Sequence, residues 1–266
     1  MEIIRSVVLA LIQGITEFLP ISSTAHLILV PKLTTWPDQG LAFDVALNTA
    51  TWLAVVVYFR SDIGDLIKGF FEAIKCRTFR DNPDGSLALK VLIATIPVAV
   101  AGLLAHDIVA HRLRTIEVIG ISSIVWGIVL FVADRRPGRG GVLEISWYAV
   151  IVVGLAQALA LVPGTSRSGI TITAALFMGL SRPSAARFSF LLAVVVGALA
   201  GAKEGMDMVK AGWDTPWLSL SIGFVVAFIA AYLAIHYFLK YISRSSMTPF
   251  VVYRVILGAA LLLWFI

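Results

Sequence analysis

Apolar residues run along this chain in long blocks, and the polar residues inside those blocks are few and clustered. Apolar segments fall at about 41–59, 87–105, 116–133, 184–202, 216–238 and 249–266. Each is long enough to cross about 30 Å of hydrocarbon as a helix. Two further apolar stretches break in the middle. The first runs from Ile3 to Leu33 and breaks at Pro20-Ile-Ser-Ser. The second runs from Ile145 to Leu180 and breaks at Pro163-Gly-Thr-Ser. Beyond each break the apolar limb has about 12–15 residues, roughly 20 Å of helix, which is too short to cross. Both stretches read as re-entrant helix–loop–helix units, because broken backbone at membrane depth is tolerated only against protein or a cavity. The pattern therefore predicts an all-α polytopic membrane protein with six transmembrane helices and two re-entrant units, in a single membrane domain spanning 1–266.

One segment has a different period. Ile63, Leu66, Ile67, Phe70, Phe71 and Ile74 recur at helical spacing opposite Asp65, Lys68, Glu72 and Lys75. This predicts a helix lying in the membrane interface, ended by a turn at Asn82-Pro83-Asp84-Gly85.

The two halves resemble each other. Pro20-x-Ser-Ser matches Pro163-x-Thr-Ser, and Leu53-Ala-Val-Val-Val matches Leu192-Ala-Val-Val-Val. Each half holds one broken unit followed by three spans. An odd number of spans per half inverts the second half relative to the first, so 1–133 and 143–266 are expected to form inverted repeats.

Composition agrees with this reading. The 266 residues are 59% hydrophobic and 14% charged, with a mean hydropathy of +0.93, which excludes a soluble domain of this size. The one cysteine, Cys76, excludes an intramolecular disulfide and a cysteine-built metal site. The net charge of +5 reports basic connectors rather than a nucleic-acid partner. Placing the 60–90 and 134–141 connectors inside puts 14 basic residues in the cytoplasm, Lys90 and Arg254 among them, against 6 outside. Both termini then lie outside, the first broken unit enters from outside, and the second enters from inside.

The chemistry sits at the breaks. Gln13-Gly-Ile-Thr-Glu17-Phe-Leu-Pro-Ile-Ser22-Ser23-Thr24-Ala-His26 places a carboxylate, three hydroxyls and an imidazole where each costs several kcal/mol unless paired or facing a polar cavity. A hydroxyl-rich kink that merely packs helices does not need Glu17 or His26. Ser23 and His26 are three apart and share a face of a helix, the minimum for an activated nucleophile. Glu17 could orient His26 or hold a divalent ion, with Gln13 one turn earlier on the same face. In the second break, Pro163-Gly-Thr165-Ser166-Arg167-Ser168-Gly-Ile-Thr171, Thr165 or Ser166 can cap a new helix whose N-terminus favours an anion. Arg167 can grip phosphate oxygens bidentately, or pair with Glu17. Together these groups suit phosphoryl transfer from a lipid phosphate.

At this point the sequence resembles the bacterial undecaprenyl-diphosphate phosphatases of the bacitracin-resistance type. The resemblance rests on the Gln13–His26 stretch, the Pro163–Thr171 stretch and Gly179-Leu-Ser-Arg…Ala-Ala-Arg-Phe-Ser-Phe-Leu-Leu-Ala193. It implies hydrolysis of undecaprenyl diphosphate to the monophosphate carrier used in cell-wall synthesis, with the help of a divalent cation (Mg2+ or Ca2+). It marks Glu17, Ser23, His26 and Arg167 as the central positions. It also implies a bacterial cytoplasmic membrane and a polyprenyl diphosphate substrate, and the place where that carrier is released fits the opening to the outer, periplasmic side that the topology predicts for the site. Gln13 stands where many members have Glu, Ala25 replaces a usual Gly, and Asn48-Thr-Ala-Thr replaces a Gly-containing stretch. The competing class is a transporter that flips a polyprenyl-phosphate carrier, which would need no nucleophile. An acid-phosphatase-type lipid phosphatase is excluded, because no His follows Ser166-Arg167 before His236. The oligomeric state, a homodimer included, stays open.

Smaller features read as structural. His106 and His111 are expected in a solvated outer loop and His236 near a span end. Ser122 and Ser123 are expected to pack helices, and most tryptophans to anchor at the interface.

Overall fold

The computed structural model describes residues 2–34, 36, 40–104, 113–135, 138–211 and 216–265. Among these residues there are eleven α-helices and no named strand. Helices α1 (Glu2–Thr16) and α2 (Ser23–Leu33) form the first broken unit. They are followed by α3 (Leu41–Tyr58), α4 (Arg60–Lys75), α5 (Pro83–Leu104) and α6 (Ile116–Asp134). Helix α7 (Trp147–Ala158), with a 3-10 turn at Leu159–Leu161, and α8 (Arg167–Phe177) form the second broken unit. Helices α9 (Arg182–Ala211), α10 (Trp217–Ile242) and α11 (Thr248–Phe265) complete the chain. His106 and His111 lie outside the described residues.

Among the described residues, five helices are long and apolar enough to cross a membrane: Leu41–Tyr58, Pro83–Leu104, Ile116–Asp134, Arg182–Met208 and Trp217–Ile242. The sixth expected span, α11, is not among them: Thr248–Leu263 is a shorter apolar helix. The limbs α1, α2, α7 and α8 are shorter still, and both breaks fall where the sequence places them.

Helix pairs close on glycine, as is usual where no hydrophobic drive separates helix from lipid. A methyl on Gly14 of α1 would come within 2.6 Å of Ala230 Cβ on α10. One on Gly154 of α7 would come within 2.8 Å of the Ala94 carbonyl on α5, and one on Gly258 of α11 within 2.6 Å of the Gly120 carbonyl on α6. The central core forms around α9, where Phe188, Phe190 and Leu192 are fully buried. Phe18, the residue after Glu17, is buried in it and packs edge-on against Phe190 with ring centres 5.3 Å apart.

Helix α4 has the expected amphipathic form. Ile67, Phe71 and Ile74 are exposed, and Gly69 and Ala73 are buried against α5. The turn after it differs from the expectation. Helix α4 stops at Lys75, and Arg77 takes a left-handed φ of 54°. Asn82-Pro83 starts α5 instead of ending α4, because the Asn82 side chain accepts from Gly85 N–H at 2.8 Å and proline suits the first helical position. Two residues assigned to cytoplasmic connectors are also buried within helices. Lys90 is 8% exposed in α5, its ammonium 5.6 Å from the Trp147 ring centre, and Arg254 is 1% exposed in α11. The connectors facing Lys90's end of the bundle are tied by Asp134, which accepts from Arg182 at 2.5 Å and from Met247 N–H at 2.9 Å.

Gly164, at the second break, has φ +87°, and an added Cβ would lie 2.6 Å from the Ile119 carbonyl. Both the conformation and the space exclude a side chain. Gly164→Ala should therefore lower stability by about 1–3 kcal/mol, read as a reduced thermal midpoint of the detergent-solubilised protein. An unchanged midpoint would show that the break is not held as described.

Candidate active site

The two breaks meet. Arg167, the first residue of α8, donates from Nη2 to Glu17 Oε1 at 2.7 Å. Ser23, the first residue of α2, donates from Oγ to Glu17 Oε2 at 2.6 Å. Gln13 Nε2 donates to the same Oε2 at 3.1 Å and to Asn48 Oδ1 of α3 at 2.9 Å. Residues from both broken units thus converge on one carboxylate, in a chain otherwise built for lipid. These groups line a cavity of ≈ 690 Å³ whose remaining wall includes Leu27, Ile28, Trp52, Val55 and Val196. Asp44, Arg114 and Glu204 also face it.

A second, small pocket of ≈ 110 Å³ adjoins the cavity and shares Glu17, Ser23, Thr24 and Arg167 with it. Its other walls include Ser22, Gly164 and Ser166. The N-terminus of α8 opens here, so the fixed dipole end and the guanidinium both favour an anion. Ser166 caps α8, accepting from Gly169 N–H at 3.1 Å. Ser22 holds the matching place before α2. Both have positive φ, 71° at Ser22 and 69° at Ser166, a strained conformation for serine.

The remaining expected residues have other partners. His26 does not pair with Ser23. Its Nδ1 lies 2.7 Å from the Ser22 carbonyl oxygen and so carries the donated proton, and its Nε2 lies 2.5 Å from the Tyr253 hydroxyl on α11. The imidazole and phenol rings stack at 5.6 Å. Helical spacing places Ser23 and His26 close together, but Glu17 on the preceding segment captures the serine while the imidazole turns to α11. Ser168 donates to the Leu19 carbonyl at 3.0 Å and ties α8 to the first break. Thr171 donates to the Arg167 carbonyl at 2.8 Å and meets the Ser189 hydroxyl at 2.7 Å, a packing role. Thr165 is fully buried, with its hydroxyl lacking a hydrogen-bond partner.

Divalent-cation binding fits part of this donor set. Among the described residues no cluster of three or more His, Cys, Asp or Glu is arranged to hold a metal ion. Gln13 Oε1, however, is buried beside Glu17 without a hydrogen-bond partner. A neutral oxygen next to a carboxylate is a hard-ion donor pair that phosphate oxygens of a substrate could complete.

The residue that sequence reasoning misplaced is Arg254. It donates from Nη1 to the Pro20 carbonyl at 3.1 Å, and from Nη2 to the carbonyls of Gly164 at 2.8 Å, Thr165 at 2.9 Å and Ser122 at 3.4 Å. Its Nε donates to the Ser123 carbonyl at 3.2 Å. It therefore satisfies backbone oxygens of both breaks and of α6 that would otherwise be stranded at membrane depth. Arg254→Met should strand several buried carbonyls at about 1–3 kcal/mol each, so that the thermal midpoint and catalytic activity fall together. Arg254→Lys, whose single ammonium cannot copy the fork, should recover little of either. A Met variant with unchanged melting would contradict this role.

Comparison with known proteins follows the same outline. Residues 6–260 match the family described as bacitracin resistance protein BacA. The chain is 50% identical to the undecaprenyl-diphosphatase of Teredinibacter turnerae over 262 residues, covering 98% of each chain. It is 48% identical over 268 residues to the undecaprenyl-diphosphatase of Saccharophagus degradans, and 50% identical over 267 residues to that of Thioalkalivibrio sulfidiphilus, with 100% of each chain covered in both cases. With both polar breaks inside the matched region and no part of the fold left outside full-length relatives, the chain belongs to the BacA family.

Proposed function

We propose that this protein hydrolyses undecaprenyl diphosphate to undecaprenyl phosphate and inorganic phosphate, returning the lipid carrier to peptidoglycan synthesis. The observation that carries the chemistry is a single carboxylate, Glu17, bonded at once to a hydroxyl, Ser23, and a guanidinium, Arg167, inside an apolar cavity. The substrate is taken from the names of three full-length relatives.

In the proposed mechanism the terminal phosphate enters the small pocket and the lipid lies in the large cavity. Arg167 exchanges Glu17 for phosphate oxygens, which its planar fork can bind in pairs. Glu17 Oε2, already 2.6 Å from Ser23 Oγ, takes the serine proton as Oγ attacks the terminal phosphorus. The bond to the bridging oxygen breaks and undecaprenyl phosphate leaves. Water then attacks the phosphorus, keeping one proton and passing the other to a phosphate oxygen, while Glu17 returns the proton it took to Ser23 Oγ as the serine ester bond breaks, and inorganic phosphate is released. A phosphate monoester leaves readily as an anion, so the first step does not require a general acid. His26 accordingly acts by holding the Ser22 carbonyl and, through it, the strained turn that presents Ser23. A divalent cation (Mg2+ or Ca2+), held by Glu17 and Gln13 with substrate oxygens, would neutralise the charge of the diphosphate.

We further take the chain as a single membrane domain of two inverted repeats, 1–133 and 143–266, in the bacterial cytoplasmic membrane. The pairing of α1 with α10 and of α7 with α5 supports the repeat, since each pair joins a first limb to the second span of the other half. The matching strained serines before α2 and α8 support it too. An inside position for the loop after α4 is supported by the basic connectors even without Lys90 and Arg254. Pro31, Arg114 and Glu204, which line the cavity, adjoin the segments assigned to the outside, so the site opens to the periplasmic side.

Purified protein should release phosphate from undecaprenyl diphosphate, and a chelator should suppress the release. Ser23→Ala should reduce turnover by about three orders of magnitude or more while the protein stays folded. Near wild-type turnover in that variant would make the attacking group a water molecule held by Glu17.

The orientation is tested by labelling intact cells with a membrane-impermeant thiol reagent. Native Cys76 is exposed at the end of α4 and should not react. Cysteine at Gln39 or Ala110, in a Cys76→Ser background, should react. Gly138 is unsuitable as an inner probe, because a side chain there would meet the Gly179 and Leu180 carbonyls at 2.3 Å. Reaction of Cys76 without reaction at Gln39 or Ala110 would reverse the topology.

A further inference from the structure

A line of hydrogen bonds continues from Glu17 past Gln13 to a residue no motif includes. Gln13 Nε2 donates to Asn48 Oδ1 at 2.9 Å, and Asn48 Nδ2 donates to Glu204 Oε2 at 3.3 Å. The chain crosses three helices, from α1 through α3 to the outer part of α9, and all four side chains line the same cavity. Resting on the function proposed above, we infer that Asn48 and Glu204 are positioning residues, which fix the direction of the Gln13 amide and through it the Glu17 centre.

The two ends of an amide are unequal. A carboxamide offers donors at one end and an acceptor at the other, and rotation by half a turn exchanges them. Gln13 beside Glu17 is useful in only one of its two orientations. With its NH2 toward Glu17 it supplies a donor to Oε2, leaving Oε1 as a free hard acceptor. Asn48, its neighbour, could stabilise either orientation, since it too can present a donor or an acceptor. Glu204 removes that ambiguity. An ionised carboxylate has no donor, so Asn48 must turn its NH2 to Glu204 and its Oδ1 to Gln13. Gln13 must then face both Asn48 and Glu17 with its NH2. Its Oε1 is left buried without a hydrogen-bond partner, in a residue only 1% exposed. Such an unpaired oxygen costs about 1–3 kcal/mol. Two carboxylates demanding the same ends of two amides are what hold it there. Without Glu204, Asn48 can turn its NH2 to Gln13. Gln13 can then meet it with Oε1 and relieve the unpaired oxygen, at the expense of its bond to Glu17.

The test uses Glu204→Gln, Asn48→Asp and the double variant, in purified full-length protein with undecaprenyl diphosphate as the probe. In Glu204→Gln the new carboxamide can satisfy Asn48 in either orientation, so the single variant should lower kcat about tenfold, in the range of other losses of supporting hydrogen bonds, with KM within about twofold. Asn48→Asp sets two carboxylates against each other and should lose more. The double variant restores one donor and one acceptor at that contact, because the carboxylate introduced on α3 accepts both from Gln13 and from the amide introduced on α9. It should return kcat to within about threefold of wild type, a recovery larger than either single variant allows if their effects merely add. Thermal midpoints should stay near wild type in Glu204→Gln and in the double variant, and the cation concentration for half-maximal activity should rise modestly in the single variants and return toward wild type in the double. Wild-type kcat in Glu204→Gln, or a double variant no better than Asn48→Asp, overturns the inference. A large rise in the half-activating cation concentration with Glu204→Gln that the double variant does not reverse also overturns it, by making Glu204 a direct ligand. Absence of turnover in the wild-type protein rejects the proposed function and this inference together. Wild-type turnover that is indifferent to Glu204 rejects the inference alone.

Discussion

Five backbone oxygens gathered by one buried guanidinium hold this structure together. A broken helix in a membrane leaves carbonyls that neither lipid nor the next limb can satisfy. This chain has two such breaks, and Arg254 answers both from a third place, α11, while also reaching the carbonyls of Ser122 and Ser123 on α6. Its charge is spread over peptide dipoles, and no carboxylate pairs with it among the described residues. That choice has a consequence for chemistry. Glu17 remains available to Arg167 and Ser23, and the two basic groups divide their work: Arg254 fixes the backbone of the breaks, and Arg167 stands at the surface of the cavity they enclose.

The cavity sets a second constraint. Glu17, Asp44 and Glu204 bring three carboxylates to a space that also receives Arg114 and Arg167. A lipid diphosphate entering it must meet positive charge at the reacting end and negative charge along the way. The arrangement favours substrate delivered with its charge partly neutralised, which is where a divalent cation enters the proposed reaction. The strain at Ser22 and Ser166 fits a site whose loops are over-determined by their surroundings. His26 on the Ser22 carbonyl, Ser168 on the Leu19 carbonyl and Arg254 on Pro20 and Thr165 each restrain a few atoms of the same turns.

Much of this was legible in the sequence because membrane protein sequences punish exceptions. Proline, glycine and hydroxyls inside apolar runs located both breaks, and the limb lengths excluded simple spans. The meeting of Glu17 with Arg167 followed from placing two opposite charges at mid-membrane. What failed was pairing that depends on rotation about a helix axis. Ser23 and His26 share helical spacing, yet neighbouring elements claim them separately, Glu17 on one side and Tyr253 on the other. Asn82-Pro83 reads equally as a turn or as a helix start, and only its side-chain bond to Gly85 decides. Arg254 was readable in principle. It stands inside the last apolar segment, where any ionisable residue is a functional candidate, but counting it with Lys240 and Arg244 hid that. Glu204 lies in the outer part of a thirty-residue helix, beyond the expected end of its span, and carries no local signal that ties it to Gln13.

The central claim is that Ser23, with its proton taken by Glu17, attacks the terminal phosphorus and is then displaced by water. Stereochemistry at that phosphorus tests it most directly. Undecaprenyl diphosphate with a terminal thiophosphate made chiral by oxygen isotopes, hydrolysed by the purified protein in isotopically labelled water, yields a chiral inorganic thiophosphate. Two successive in-line displacements predict overall retention of configuration. Inversion would mean a single displacement by water, and would contradict the account.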